Sequence, residues 1–398
     1  MKARSERGGA TQRVDYMAQN AETGSSTGTA RSVATKLWSR SRAKPNREAN
    51  GMPNPYETQP PRAFWRSAVS ERSAIEMDGV YEPRFEISQD MRISAAGSCF
   101  AQHIARQFRL RGYTFMDFEP APPMIDAQIA DEFGYGHYSA RYGNIYSVRQ
   151  LVQLFERATG RFEPEDHVWE TEGRFYDPFR PSIQPGGFAS EGECLLERGH
   201  HLGQVAGMLE QTDIFVFTFG LTEAWENTRD GAVLPTCPGT IAGRFDPDVY
   251  AFKNFRFAEI LEDAQAFIAY ARRHNPEMRF LFTVSPVPLT ATATDQHVLP
   301  ATVYSKSVLR AVVGELMMDH DFVDYYPSYE LVASHPMRGI FYRPNMRQVA
   351  SEGVARVMDI FFRAHGGEAA EVEAAGAPQA AETSDVHCDE EVLEMFGS

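Results

Sequence analysis

The sequence predicts an α/β fold, with a doubly wound, mostly parallel sheet flanked by helices, and with loop insertions and disordered termini. Two short apolar runs, 213–219 (DIFVFTF) and 279–284 (RFLFTV), are typical of central parallel strands because such strands are buried on both faces. Stretches with helical spacing of apolar residues alternate with these runs along the chain. A chain of 398 residues, 43% of them hydrophobic, can bury the core that such a fold requires.

The individual elements are predicted from the spacing of their apolar residues. The first strand covers about 91–95, and Phe100, Ile104 and Phe108 predict a helix over about 99–111 because they recur every four residues. Further strands are predicted at 213–219, 279–284 and 322–326, and further helices at 147–158, 201–210, 257–273, 303–318 and 349–362. Segments 160–200 and 226–256 are rich in Gly, Pro and aromatic residues, which predicts insertions of the kind that shape binding sites.

The two ends of the chain differ from its middle in charge and composition. Residues 1–50 hold ten Lys or Arg against four Asp or Glu, whereas residues 367–398 hold nine Asp or Glu and no Lys or Arg. Both ends are poor in large apolar residues, so burial cannot offset the entropy cost of ordering them. We therefore predict a disordered basic tail over 1–50, an α/β domain over 51–366 and a disordered acidic tail over 367–398.

These charged tails could bind a protein partner or one another, because their charges are opposite in sign. The short amphipathic stretch at 390–396 (EEVLEMF) could serve as a docking peptide or remain a free tail.

Composition also argues against several classes of function. A net charge of −15 argues against nucleic-acid binding, which needs clustered Lys and Arg. No apolar run is long enough for a membrane span or a signal peptide, so a cytoplasmic location is expected. No metal or cofactor is predicted, because no metal-ligand spacing or phosphate-binding loop is present. The four cysteines have no paired spacing and are predicted to be thiols: Cys99, Cys194, Cys237 and Cys388.

The segment 92–99 (RISAAGSC) ends a predicted strand and opens a predicted helix. Ser98 would then lie at the helix N-terminus, where free N–H groups can stabilise an oxyanion, and Gly97 would permit the tight turn. Ser98 could instead be only the helix N-cap. Cys99 is a competing nucleophile, or a small side chain packed against the sheet.

The five residues from Gly97 to Ala101 spell the signature of the GSCFA domain family, which belongs to the wider SGNH/GDSL-like hydrolase group. The resemblance runs from about residue 54 to residue 362 and implies an SGNH-hydrolase-like fold. In that group the serine of the first block is the nucleophile. By position, the resemblance implies that role for Ser98.

A second block, 217–225 (FTFGLTEAW), resembles the GxN block that supplies oxyanion donors in SGNH enzymes. Thr222 stands where that pattern has Asn, which weakens or removes the side-chain donor, although backbone N–H groups around Gly220 could remain. Glu223 is a candidate for the pocket lining or for the core. Cys99 and Gly97 complete this predicted oxyanion and pocket set.

The base expected from the resemblance, a late Asp-x-x-His pair, is absent, because Asn345 and Gln348 occupy those positions. An amide cannot take a proton from serine near neutral pH. A third block, 285–289 (SPVPL), follows a predicted strand and leads through Asp295 and His297 to Tyr304-Ser305-Lys306. We therefore predict His297 as the general base, with His335 and His103 as the alternatives. Asp295 is predicted as its orienting carboxylate, with Asp230 as the alternative.

The resulting prediction is an SGNH-like serine esterase or acyltransferase that acts on an acylated carbohydrate or glycan precursor. The substrate class is implied by the resemblance alone. The alternative is a catalytically degenerate GSCFA-domain protein that binds a glycan or a protein partner in the same cleft. Asn345, Gln348 and Thr222 favour that alternative.

Overall fold

The computed structural model describes residues 54–366, residue 386 and residues 388–397. Its strands are β1 (Ile93–Gly97), β2 (Trp169–Thr171), β3 (Arg174–Tyr176), β4 (Ile214–Phe219), β5 (Glu223–Asn227), β6 (Val233–Leu234), β7 (Tyr250–Asn254), β8 (Arg279–Val284) and β9 (Val323–Tyr325). Its α-helices are α1 (Phe100–Leu110), α2 (Ala127–Glu132), α3 (Val148–Ala158), α4 (Glu191–Ala206), α5 (Phe257–His274), α6 (Val298–Asp319), α7 (Ser328–Ala333) and α8 (Ser351–Ala364). Shorter 3₁₀ or π-helical turns cover Pro61–Ala63, Arg66–Ser70, Ala74–Glu76, Leu209–Gln211, His335–Met337 and Asp389–Phe396.

Four strands form the central sheet in the order β1-β4-β8-β9, and every pairing is parallel. Ile214 of β4 lies opposite Ile93 of β1 on one side and opposite Arg279 of β8 on the other. Every residue of β1 and β4 is buried, which explains why these strands read as apolar runs without alternation. The predicted α/β fold class is confirmed.

Helices cover both faces of this sheet, and alternate residues of β4 point into two separate cores. Phe215 and Phe217 pack into a core that includes residues of α3, α5 and α6. Ile214 and Val216 pack into a second core that includes residues of α1 and α8. The sheet is therefore the middle of three layers.

The segments that were predicted as insertions carry their own secondary structure. Residues 160–200 contain the β2-β3 hairpin and the first part of α4. Residues 226–256 contribute to a three-stranded antiparallel sheet of order β6-β5-β7. This small sheet follows β4 directly, so it stands at the edge where the central strands end.

Two predicted helices begin earlier than their apolar spacing indicated. Helix α4 begins at Glu191, where Ser190 caps it by accepting a hydrogen bond from Glu193 N at 3.2 Å. Helix α6 begins at Val298, although Pro300 lies in its first turn, a position where a helix tolerates proline. Capping residues and first turns carry little apolar periodicity, which explains both differences.

The prediction for the basic tail, 1–50, lies outside the described residues, as does most of the acidic tail. Residue 386 and residues 388–397, hereafter the C-terminal segment, are the exception. Their 3₁₀ helix Asp389–Phe396 packs against the domain, so the prediction of a disordered tail over 367–398 does not hold for these residues. None of the described helices is both long and apolar enough to cross a membrane.

Candidate active site

The candidate site lies at the edge of the sheet where the parallel strands end. Ser98 follows β1, Gly220 follows β4 and Ser285 follows β8. Because β1, β4 and β8 are adjacent and parallel, the residues that follow them are brought to one edge. This is the edge at which open α/β sheets bind ligands.

Ser98 is only 2% exposed, and its backbone is held on both sides. Its N–H donates to Thr218 O at 3.1 Å, and its carbonyl accepts from Ala101 N at 2.8 Å. Within the described part of the chain, however, its buried Oγ has no hydrogen-bond partner. The side chain therefore does not cap α1, which leaves the hydroxyl available for chemistry.

Two glycines allow the backbone to close around Ser98. Gly97 has φ +136°, and a Cβ there would lie 2.5 Å from Thr218 O on the neighbouring strand. A Cβ on Gly220 would lie 2.9 Å from Ser98 Cβ and 3.0 Å from Tyr146 O. Larger residues at either position would move the serine turn away from β4.

The backbone N–H groups around Gly220 are already engaged, contrary to the expectation that they remain as oxyanion donors. Gly220 N and Leu221 N both donate to Tyr146 O, at 3.1 and 3.0 Å. Thr222 is fully buried, its N–H donates to Ser305 Oγ at 3.0 Å, and its hydroxyl has no partner among the described residues.

Free donors occur instead at the start of α1. The N–H groups of Cys99 and Phe100 make no hydrogen bond within the described residues. They lie at the positive end of the helix dipole, directly after Ser98.

Lys306 is a buried cation that the sequence motif contained but to which no role was assigned. It lies on α6, is 1% exposed, and its Nζ donates to Gly220 O at 2.7 Å. Burial lowers its pKa to about 8, because desolvation penalises the charged amine. The Lys306 amine is thus held at Gly220, the residue that packs against the Ser98 side chain.

Arg347 is a second buried cation, located where the resemblance placed the late Asp-x-x-His pair. Asn345 Oδ1 accepts from the N–H groups of Arg347 and Gln348, at 3.1 and 3.0 Å, which shapes this loop. The Arg347 guanidinium contacts Cys388 Sγ at 3.3 Å and Glu391 Oε1 at 3.3 Å. The loop therefore presents a cation to the cleft in place of an imidazole and a carboxylate.

The C-terminal segment lies in this cleft. Asp389 accepts hydrogen bonds from Asn144 Nδ2 at 2.8 Å and from the Ser182 hydroxyl. A cavity of about 210 Å³ on one side is lined by Cys99, His103, Arg347 and Cys388, among others. A cavity of about 270 Å³ on the other side is lined by Glu223, Trp225, Glu390 and Phe396, among others. Residues of the segment therefore line both cavities.

The pKa values of the two thiols of the site are shifted in opposite directions. Cys99 is buried, and the hydrogen bond with Cys388 together with burial raises its pKa well above the usual thiol value. For Cys388, that hydrogen bond and the positive charge of Arg347 outweigh burial and lower the pKa to about 6. The packed alternative for Cys99 fits this environment better than a thiolate nucleophile does.

The structure does not bring the predicted base to Ser98. His297 is exposed at the N-cap of α6, where its Nδ1 accepts from Leu299 N at 3.1 Å, and Asp295 is exposed in the preceding loop. His335 stacks on Trp65 with ring centroids 5.4 Å apart. His103 on α1 contributes to the cavity wall beside Cys99.

Glu223 lies at the start of β5, where it lines the larger cavity. Its Oε1 accepts from Thr292 Oγ1 at 2.7 Å, and partial burial raises the pKa of its carboxyl group. The described residues include no group of three or more His, Cys, Asp or Glu side chains arranged to hold a metal ion.

The fold and the site define a three-layer α/β protein with a buried serine at a strand-to-helix turn, whose Oγ has no partner among the described residues. The model of the GSCFA family matches residues 92–361, from the end of the loop before β1 into α8. The chain belongs to the GSCFA family. No curated protein and no solved structure matches it.

Proposed function

We propose that this protein is an SGNH-like serine esterase or acyltransferase with Ser98 as its nucleophile. The observation that carries this proposal is the buried Ser98 Oγ, which has no hydrogen-bond partner within the described residues. A buried hydroxyl without a partner costs free energy on the order of 1–3 kcal/mol, so its retention favours a chemical role.

We propose Lys306 as the general base; its Nζ has to move to reach Ser98 Oγ, which has no hydrogen-bond partner among the described residues. Its Nζ is held at the carbonyl of Gly220, and the Gly220 Cα packs against the Ser98 side chain. A pKa lowered to about 8 leaves part of the amine neutral near pH 7, and serine-lysine pairs are an established variant of the catalytic triad. His297 remains a competing proposal that requires its ring to leave the α6 cap.

The proposed reaction proceeds through an acyl-enzyme. Ser98 Oγ attacks the ester carbonyl while its proton passes to the neutral Lys306 amine, which then protonates the departing alcohol. Water or an acceptor hydroxyl then attacks the acyl-serine carbonyl and gives its proton to Lys306. Lys306 passes this proton to the departing Ser98 Oγ, which restores the free serine and the neutral amine. The N–H groups of Cys99 and Phe100 would stabilise the oxyanion at each step.

An acylated carbohydrate or glycan precursor is the proposed substrate class, following the family resemblance. The larger cavity supports it, because Trp225 offers an aromatic surface and Glu223 offers a hydrogen-bond acceptor. Both features suit a sugar ring, which has an apolar face and several hydroxyl donors.

The test is covalent labelling of the full chain with a fluorophosphonate, together with hydrolysis of a short-chain aryl ester. We expect Ser98→Ala to lose labelling and at least 10³-fold in kcat/KM, because the nucleophile is removed. Cys99→Ala is the matched control at the adjacent position and should retain both. Labelling that persists in Ser98→Ala would exclude Ser98 as the nucleophile.

The second candidate is a catalytically degenerate domain that binds a glycan or a protein partner. Two observations favour it. The N–H groups of Gly220 and Leu221 already donate to Tyr146 O and cannot stabilise an oxyanion. The positions expected for the base hold Asn345 and Gln348. A wild-type chain that reacts with neither probe, but binds a ligand in the cleft, would support this candidate.

A further inference from the structure

The C-terminal segment meets the cleft through three consecutive acidic side chains, two of which contact Arg347. Asp389 accepts from Asn144 at 2.8 Å. Glu390, whose side chain is 12% exposed, lies 3.7 Å from the Arg347 guanidinium. Glu391 accepts from Gln348 Nε2 at 3.1 Å and pairs with Arg347 at 3.3 Å. The acidic face of the segment thus complements a cationic wall.

Arg347 is the clearest evidence that the cleft is built for an anionic ligand. With the C-terminal segment in place it is 7% exposed, and every described partner of its guanidinium belongs to that segment: Cys388, Glu390 and Glu391. A buried guanidinium without an anionic partner is strongly unfavourable. Burial raises the pKa of the Glu390 carboxyl group to about 8, although Arg347 and Lys306 both favour its ionised form. The fully ionic contact of Arg347 is therefore the one with Glu391.

An apolar half follows the acidic half of the segment. Leu393 and Phe396 line the larger cavity together with Leu221 and Trp225, although Phe396 remains 66% exposed. The groove therefore combines a cationic subsite near Ser98 with an apolar subsite near the small antiparallel sheet. Such a combination selects a peptide with acidic residues followed by apolar residues.

We propose that this cleft is a binding groove for an acidic peptide, and that the C-terminal segment of the same chain is its resident occupant and closes the site. That a docked segment blocks the esterase reaction rests on the proposed function. That the cleft binds an acidic peptide does not depend on it. Substrate reaches Ser98 only when the segment leaves or is displaced.

Tethering makes such an occupant effective even when its intrinsic affinity is low. A segment joined to its groove by a short linker acts at an effective concentration on the order of 1 mM. If the free peptide bound with a Kd of about 10 µM, the tethered segment would occupy the groove about 99% of the time. A competing acidic peptide on a partner could still displace it.

The test measures binding of a fluorescent peptide of residues 385–398, with Cys388 replaced by serine, to full-length chains. We expect the tail variant Glu390→Lys with Glu391→Lys to bind the peptide at least tenfold more tightly than wild type, because its own segment no longer competes. Adding Arg347→Ala to that variant should weaken binding at least tenfold. Equal peptide affinities in all three chains would contradict the proposal that this cleft binds the peptide.

The matched control is Glu394→Lys, which reverses a charge at an exposed position of the same segment. It should bind the peptide no better than wild type, and circular dichroism should show that all variants are folded. Tighter peptide binding by Glu394→Lys would mean that net charge, and not the contacts with Arg347, controls docking. That result would overturn the proposal.

Two further measurements separate the possible failures. Aryl-ester hydrolysis on the same chains should rise severalfold in the Glu390→Lys, Glu391→Lys variant; peptide binding without hydrolysis in any chain would refute the esterase proposal and leave the groove intact. Sedimentation should show a wild-type monomer at micromolar concentration. A wild-type dimer that dissociates in the tail variant would show that the C-terminal segment of one copy binds the groove of another. That result would overturn the intramolecular arrangement.

Discussion

Gly97 controls how closely the serine turn approaches β4. Its φ of +136° is strained for any other residue, and a Cβ would meet Thr218 O at 2.5 Å. We predict that Gly97→Ala lowers the free energy of unfolding by about 2–4 kcal/mol, as measured by denaturant titration.

Gly199 provides the control for that substitution. It lies exposed within α4, and a Cβ there would meet no atom within 4 Å. Gly199→Ala should be neutral or stabilising by up to about 1 kcal/mol, because alanine favours the helix. An equal loss of stability at both positions would contradict the close-approach argument.

The acidity of Lys306 predicts the pH dependence of catalysis. Because the neutral amine is the active form, kcat/KM should rise with pH through an apparent pKa of about 8. Lys306→Met should lower kcat/KM by at least about 10²-fold and remove that rise. A rise in kcat/KM with pH that persists in Lys306→Met but is lost in His297→Ala would instead identify the imidazole as the base.

At this scale, the sequence predicted the position of Ser98 but not its surroundings. The turn from strand through glycine and serine to helix is set by residues adjacent in the sequence, so the sequence pattern predicts it. The roles of Lys306 and Arg347 depend on contacts between distant segments, which spacing cannot show. One signal was available: Lys306, Leu309 and Val313 share a buried helical face, so a lysine there required a partner.

At the scale of elements, a buried ionic cluster joins the insertion after β3 to α4. Asp177 pairs with Arg180 at 2.9 Å and with Arg198 at 3.1 Å. Burial opposes ionisation of Asp177, but these guanidinium groups outweigh it and hold the pKa of the carboxyl group below its usual range. The residues after β3 are thus held against the first part of α4, within the 160–200 insertion, by charge as well as by apolar packing.

We predict that Asp177→Asn destabilises the protein by about 3–5 kcal/mol, because it leaves buried guanidinium groups without their carboxylate. The exposed pair Arg229–Glu165, at 3.7 Å, offers the comparison. Glu165→Gln should change stability by less than about 1 kcal/mol. Thermal unfolding of both variants measures the difference, and similar losses would contradict the role of burial.

The elements that the sequence predicted best are those with continuous apolar patterns. Strands β4 and β8 agree with prediction to within one residue, because burial on both faces leaves an uninterrupted signal. The start of α4 and the C-terminal 3₁₀ helix were missed. Both depend on polar contacts, which a pattern of apolar residues does not contain.

At the scale of the whole molecule, His365 couples stability to pH. Its Nδ1 accepts from Ile87 N at 3.3 Å, and its Nε2 lies 3.3 Å from the hydroxyl of Tyr81, which itself donates to Asp324. This arrangement requires a neutral ring with the proton on Nε2. Burial accordingly lowers the pKa of His365 to about 4.

Because the folded-state pKa lies below the unfolded value of about 6.5, this contribution is complete above pH 6.5 and is lost as the pH falls towards 4. This contribution to the free energy of unfolding amounts to about 3 kcal/mol. His365→Asn cannot be charged, so its free energy of unfolding should fall less steeply over this range. The exposed His167→Asn should keep the wild-type slope; identical slopes in all three chains would contradict the assignment.

The position of β4 has a consequence for amide hydrogen exchange. This strand is paired on both edges and covered on both faces, so its amides exchange with solvent only when the whole domain unfolds. Ser98 N is bonded to the carbonyl of Thr218 on that strand and should share its protection. The Ser98 backbone therefore stays hydrogen-bonded while the C-terminal segment leaves and rebinds. Access to the Ser98 hydroxyl then depends on the position of that segment and not on opening of the serine turn.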